Sequence, residues 1–172
     1  TEEYPTLKHP YEHGVRLPQP LALEDTGTVL GHPFIVSAKV NGAAIGNLYA
    51  FPPRDEAVVA DMARCMADLH KVPVEGFPEI NPTPPGSTHL DAEIDKYYAD
   101  WQALGVDNQA METAFRWIKD HREMGRGKPA VVHNDYGFNN ILIEGSHVEA
   151  VVDWEFVHIG VAAADVGYFF YS

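Results

Sequence analysis

The sequence predicts an α+β fold on three observations: two short apolar strands near its start, three amphipathic helices through its middle, and a tight hairpin of branched apolar residues near its end. Residues 17–23 and 33–40 read as strands on either side of the turn Glu24-Asp25-Thr26-Gly27, with Asn41-Gly42 as a hinge beyond them. A helix should begin after Pro52-Pro53, with Asp55 and Glu56 in its first turn, where carboxylates favour the positive end of the helix dipole. Val58, Met62, Cys65 or Met66, and Leu69 would form its inner face, with Lys71 near its end and Pro73 stopping it. Residues 72–87, rich in Pro and Gly, read as a long loop.

The next helix is marked more clearly. Thr88-x-x-Asp91 has the spacing of a capping box, Leu90, Ile94, Tyr97, Trp101 and Leu104 recur at helical intervals, and Gly105 ends the run. Asp107 or Asn108 can cap a third helix whose face is Met111, Phe115 and Ile118. Gly125-Arg126-Gly127 then breaks the chain before a strand at 130–133. Ile141-Leu142-Ile143 and residues 148–152, joined by the turn Glu144-Gly145-Ser146-His147, form the hairpin.

That hairpin joins the two stretches that carry chemistry. The first is His133-Asn134-Asp135-Tyr136-Gly137-Phe138-Asn139-Asn140, and the second is Asp153-Trp154-Glu155. The spacing His-x-Asp-x-x-x-x-Asn is that of a catalytic loop for phosphoryl transfer, with Asp135 accepting the proton of a substrate hydroxyl and Asn140 a ligand of Mg²⁺. Folding of the hairpin would return Asp153 beside Asn140 as a second ligand. One carboxylate and one carboxamide suffice beside the nucleotide's phosphates, because Mg²⁺ takes hard oxygen ligands and keeps several waters.

This block resembles the aminoglycoside phosphotransferase family, kinase-like enzymes that phosphorylate small molecules. Their catalytic loop usually reads His-Gly-Asp, and their metal aspartate often lies in Asp-Trp-Glu. The chain differs at Asn134, where Gly is usual, and at Gly160-Val161, where Gly-Asp-Pro is frequent. The likeness extends upstream through Gly14-Val15-Arg16-Leu17-Pro18, Pro33-Phe34-Ile35-Val36-Ser37 and Val40-Asn41-Gly42 to Leu69-His70 and Trp117, although only 133–155 is sharply specific. Within the family the nearest likeness is to bacterial and acyl-CoA-dehydrogenase-associated kinase-like proteins.

The resemblance implies a protein-kinase-like fold, with residues 1–40 a remnant of the N-terminal lobe and 41–172 the helical C-terminal lobe. It implies ATP or GTP as phosphate donor, Mg²⁺, and a small-molecule hydroxyl acceptor. It assigns His133 to bracing the catalytic loop rather than to metal or base chemistry, and Asp165 to accepting backbone amides of that loop. Asp165 read without the resemblance is an ordinary carboxylate in the first turn of a helix. No Gly-rich phosphate loop and no Val-Ala-Ile-Lys strand occurs in the sequence, so the chain is expected to begin near the helix that carries the lysine's glutamate partner, with Glu2 or Glu3 in that role. Further helices are expected after Tyr171-Ser172.

Composition bounds the alternatives. With 172 residues and 45% hydrophobic content there is enough for one globular domain but little for a complete two-lobed kinase. Twelve basic against 25 acidic residues give a net charge of −13, which excludes a phosphate-backbone partner, so no nucleic acid is expected. Acids thicken between Asp55 and Asp100. In an acceptor pocket they would attract a cationic substrate, while a solvated acidic face accounts for them more simply. No apolar run approaches the roughly 18 residues of a membrane span, and the single Cys65 fits a reducing cytoplasm and a buried, inert thiol. The strand at 33–40 would leave an open sheet edge, for which further chain, a partner or a homo-oligomer is the expected cover. Two other classes compete with the kinase: a non-catalytic nucleotide-binding or interaction module of the same fold, and a metal-dependent hydrolase.

Overall fold

The computed structural model describes residues 3–46, 55–78 and 82–171. Glu2, Pro52-Pro53 and Ser172 lie outside them. Among the described residues the first element is a helix, α1 (Glu3–Glu12), followed by strands β1 (Pro20–Glu24) and β2 (Phe34–Ser37), which pair antiparallel with Leu23 opposite Ile35. Both strands are shorter than the sequence predicts. Glu24 ends β1 because its carboxylate turns back to accept from the backbone N–H groups of Thr26 and Gly27, at 2.9 and 3.0 Å, competing with the ladder. Leu21 and Val36 on this two-stranded sheet are exposed.

The short strand β3 (Ala43–Ala44) pairs with β5 (Ile141–Glu144), which pairs in turn with β6 (His147–Val151). Gly42 makes the first pairing reachable. Its φ of +91° is a left-handed conformation, and a Cβ there would stand 3.0 Å from the Ile143 carbonyl oxygen. The β5–β6 turn is Gly145-Ser146, with φ of +63° at Gly145, the backbone sense that a two-residue hairpin requires.

Helix α2 (Glu56–Leu69) starts at Asp55, which is the N-cap rather than part of the first turn: its side chain accepts from Ala57 N–H at 2.8 Å. Val58, Met62, Cys65, Met66 and Leu69 are buried against the hairpin, and burial pushes the Cys65 thiol pKa up, keeping it protonated. The face is clamped at its outer end by Asp61, which accepts from Arg16 at 2.7 Å and from Val148 N–H at 2.8 Å. The Arg16 guanidinium holds the Asp61 carboxyl down at about 2. Val15 and Leu17 join the same core as Met62, Val131 and Ile141, so the beginning of the chain packs into the centre of the molecule.

Helix α3 (His89–Ala103) is capped by Thr88, which accepts from Asp91 N–H at 3.1 Å, and helix α4 (Gln109–Asp120) by Asn108, which accepts from Ala110 and Met111. Their expected apolar faces are largely open: Ile94 is the sole buried residue of α3, none of α4 is buried, and Leu104 is 69% exposed. Packing explains this correction, since among the described elements α4 packs chiefly along α3 and no second layer covers it. A 3₁₀ turn at Arg122–Gly125 leads to β4 (Pro129–Val132), which pairs antiparallel with β7 (His158–Val161), a strand the sequence pattern did not mark. Helix α5 (Ala163–Tyr171) follows.

Candidate functional site

Three buried strand ends, Val132 of β4, Ile141 of β5 and Val151 of β6, flank residues 133–140. His133 leaves β4 just past the strand and is fully buried; its Nε2 donates to the Val152 carbonyl at 3.1 Å, and its ring stands edge-on to Trp154 at 4.9 Å. Burial pushes its pKa down, so the ring is neutral, and Nδ1 has no hydrogen-bond partner among the described residues. A neutral ring with one nitrogen spent on a carbonyl and its other nitrogen enclosed serves packing, not proton transfer.

The loop backbone is held from α5. Asp165, fully buried, accepts from His133 N–H at 3.0 Å, from Asn134 N–H at 2.7 Å and from His70 Nε2 at 2.8 Å. Those three donors satisfy a carboxylate that would otherwise be costly to bury. Asn134 takes φ of +63°, which an asparagine tolerates better than most residues. Tyr136, just beyond, anchors the loop from the other side by donating to the Met62 carbonyl at 2.8 Å, and its burial raises its pKa.

Asp135 and Asn140 are in direct contact. Asn140 Nδ2 donates to the Asp135 carboxylate at 2.5 Å and to its carbonyl at 3.0 Å, while Asn140 Oδ1 accepts from Asn139 at 2.8 Å. The hairpin register pairs Ile141 with Val151, and Val152 N–H donates to the Asn140 carbonyl at 2.9 Å, so Asp153 follows directly on the residue bonded to Asn140. Asp153 is exposed and sits at φ of +67°, one of two non-glycine residues with positive φ among the described residues, the other being Asn134. Left-handed backbone at these two loop positions is strain of the kind that persists where surrounding contacts over-determine it.

Tyr168 of α5 is a site residue that the sequence did not single out. Its phenol lies close enough to Asp135 for that carboxylate to push it up to about 12. No periodicity or motif marks it, because its role depends on how α5 is laid across the loop.

Two cavities border the two chemistry-bearing stretches. One, of about 260 Å³, is lined by Glu3, Leu7, Pro18, Ser37 and residues 152–155, and so places Asp153 opposite α1 and β2. The other, of about 440 Å³, lies between α3, β7 and the segment 82–84, and Asn134 lines it. Glu155 borders both. Of the acids between Asp55 and Asp100, Glu93 alone among the described residues lines the larger cavity, where it stands 3.5 Å from His158. Asp61, Asp68 and Asp91 are spent on ion pairs elsewhere, and Asp100 on Lys96, which lines the cavity.

Asn140 and Asp153 offer the hard oxygen donors that suit Mg²⁺, with phosphate oxygens and water to complete its shell. No group of three or more His, Cys, Asp or Glu side chains that could hold a metal by itself occurs among the described residues. Nor, among them, is any helix long and apolar enough to cross a membrane.

Residues 1–172 match the model of the phosphotransferase enzyme family. The chain is 22% identical to human acyl-CoA dehydrogenase family member 11 over 97% of its own length and 22% of the relative's. It is 27% identical to the hygromycin-B 4-O-kinase of Escherichia coli over 80% of its length and 43% of that protein's. Among solved structures, a Ralstonia eutropha protein assigned to the aminoglycoside phosphotransferases superposes with a TM-score of 0.81 at 22% identity, over 98% of this chain and 53% of that one. The aminoglycoside phosphotransferase APH(4)-Ia in complex with ADP and hygromycin B gives 0.73 at 20%, over 98% and 60%. The fold is therefore the kinase-like one of those enzymes, and the chain spans about a fifth to three fifths of the length of these proteins.

Proposed function

Because the chain belongs to the phosphotransferase enzyme family, we propose that the protein transfers the γ-phosphate of ATP or GTP to a hydroxyl of a small molecule. The observation that carries this reading is the contact of Asp135 with Asn140, on a loop pinned by Asp165, at the root of a hairpin whose second strand returns the chain to Asp153. A loop braced this way holds a carboxylate in fixed position, and phosphoryl transfer depends on positioning more than on covalent work by the protein.

In the step so arranged, the acceptor oxygen forms a bond to the γ-phosphorus while the bond from that phosphorus to the β–γ bridging oxygen breaks. Asp135 takes the hydroxyl proton, and the nucleoside diphosphate departs with the electron pair of the broken bond. Asn140 orients the Asp135 carboxylate by its hydrogen bond to it, and the Tyr168 phenol stands beside the same carboxylate. Asn140 and Asp153 would hold Mg²⁺, which supplies neutralisation of the phosphate charge. The cavity beside Asp153 suits the nucleotide and the larger one beside Asn134 suits the acceptor. Kinship with enzymes solved with ADP and hygromycin B, or with GDP and kanamycin, supports a nucleotide donor and a small hydroxylated acceptor. A cytoplasmic setting, where such donors are made, agrees with a lone buried thiol.

Two substitutions test the assignment in the full-length protein. Asp135→Asn preserves side-chain shape but cannot accept the proton, so turnover should fall by roughly 10²-fold or more while Mg-nucleotide binding by calorimetry stays near normal. Asp153→Asn should lose metal-dependent nucleotide binding together with turnover. Full activity in the first variant would remove the base, and undiminished metal-dependent binding in the second would remove the ligand. Turnover in neither variant nor wild type, with nucleotide still bound, is the result the non-catalytic module requires.

A further inference from the structure

The larger cavity carries two polar groups that the transfer step leaves unused. Asn134, next in sequence to Asp135, donates from Nδ2 to the Tyr97 hydroxyl of α3 at 3.1 Å, and both residues line the cavity. A carboxamide has two donors and one oxygen, and Asn134 Oδ1 makes no hydrogen bond within the described residues. The Tyr97 hydroxyl, accepting from Asn134, still has its own hydrogen to give. The pair thus offers one acceptor and one donor, side by side, with Asn134 next in sequence to Asp135, the proposed base.

Charge around the cavity nearly balances. Glu93 faces His158 across 3.5 Å, and Lys96 pairs with Asp100 at 2.8 Å, leaving Glu155 as the one lining carboxylate with no ion pair recorded among the described residues. Much of the remaining wall is apolar, from Pro82, Pro84, Ala92, Phe156, Val157 and Ile159. A cavity of about 440 Å³ with apolar walls and a few convergent polar groups has the character of a small-molecule site.

We propose that Asn134 and Tyr97 read the acceptor at two points, selecting a neutral, partly apolar molecule with a second hydroxyl next to the one that is phosphorylated. The inference rests on the kinase reading and narrows its substrate class. A neighbouring hydroxyl satisfies both groups at once, donating to Asn134 Oδ1 and accepting from Tyr97. A mono-alcohol leaves both unpaired. An ammonium in the same place satisfies the Asn134 oxygen but has no lone pair for the Tyr97 hydrogen. Glycine, usual at position 134 in the resembled family, would supply neither the reader nor its tie to α3.

Ligand-observed NMR on the full-length protein with three matched probes tests this without turnover: trans-cyclohexane-1,2-diol, cyclohexanol and protonated trans-2-aminocyclohexanol. The diol should bind roughly tenfold more tightly than either competitor, the worth of about one net hydrogen bond. Tyr97→Phe, at a residue 42% exposed, and Asn134→Gly should each erase that preference while Mg-nucleotide binding is unchanged. If Asn134→Gly fails to fold, Tyr97→Phe alone decides. Equal binding of diol and mono-alcohol, preference for the amino-alcohol, absence of binding by all three, or a preference that survives Tyr97→Phe would overturn the proposal. Because the readout is binding, failure here is separable from failure of the Asp135→Asn turnover test.

Discussion

Strands β4 to β6 and helix α4 are both amphipathic in sequence, yet they end up in opposite conditions. Val131, Val132, Ile141, Val148 and Val151 are at most 1% exposed, whereas Met111, Trp117 and Ile118 of α4 are 38%, 55% and 40% exposed. Helix α2 packs on β6, and the inward side chains of the strands join those of α2 in one core, where they are removed from water. Helix α4 is held instead by polar tethers: its Asn108 cap, and Glu112, which accepts from Trp101 Nε1 at 3.0 Å and from the Tyr98 hydroxyl at 3.3 Å. The catalytic-loop side of the molecule is therefore fixed by core and buried hydrogen bonds, and the α3–α4 side by surface contacts. On the proposed function, Asp135 belongs to the fixed side and the acceptor cavity borders the adjustable one, so acceptor choice can change without disturbing the transfer step.

Asp165 offers the hardest test of the fixed side. Replacing it by Ala strips the acceptor from two backbone N–H groups and from His70 in a site with no exposure, and removing one partner of such a buried network costs about 3–5 kcal/mol. Asp165→Asn, retaining one oxygen, should cost less than Asp165→Ala. Urea unfolding of both variants measures the difference. A loss under about 1 kcal/mol for Asp165→Ala would mean the loop is positioned by packing alone.

The Asp61 clamp should weigh less and should reveal itself through pH. Its carboxyl lies at about 2 when folded against an ordinary 3.8, chiefly because Arg16 donates to it. A depressed folded pKa contributes stability that is complete above 3.8 and is lost as pH falls through the window toward 2. Asp61→Asn should cost about 2 kcal/mol at neutral pH, the scale of a hydrogen bond to a charged group. It should also flatten the stability profile between pH 4 and pH 2. A wild-type profile that the substitution leaves unchanged in that window would assign the acid sensitivity to other carboxylates.

How the sequence foretold each side follows from the same contrast. The hairpin, the inner face of α2 and the caps at Thr88 and Asn108 were legible because each is a local rule: period, turn chemistry or a capping side chain. Asp55 was misplaced by one position, since a carboxylate at an N-cap and one in the first turn look alike in sequence. The inner face expected for α3 and α4 failed because helical spacing tells which residues share a face, and not whether anything packs on it. Strand β7, interrupted by Gly160 and flanked by no turn signal on its N-terminal side, was invisible until β4 was there to pair with it. Tyr168 and Tyr97 reach the loop only through the placement of α5 and α3, a tertiary fact without a local signature.

The smallest effect is expected where the sequence pattern most overstated burial. Ile118 belongs to the predicted face of α4 but is 40% exposed, so Ile118→Gln removes far less apolar area from cover than a core substitution and keeps a residue of comparable or better helix propensity. In the 172-residue chain its stability should change by less than about 0.5 kcal/mol, the range of ordinary surface substitutions. Met62, equally apolar and equally helical but with no exposed area, supplies the contrast: Met62→Gln places an unpaired carboxamide under the hairpin and should cost several-fold more. Chemical denaturation of the pair settles the matter. A cost for Ile118→Gln matching that of Met62→Gln would mean that α4 is packed as firmly as α2, and the division into a fixed and an adjustable side would fall with it.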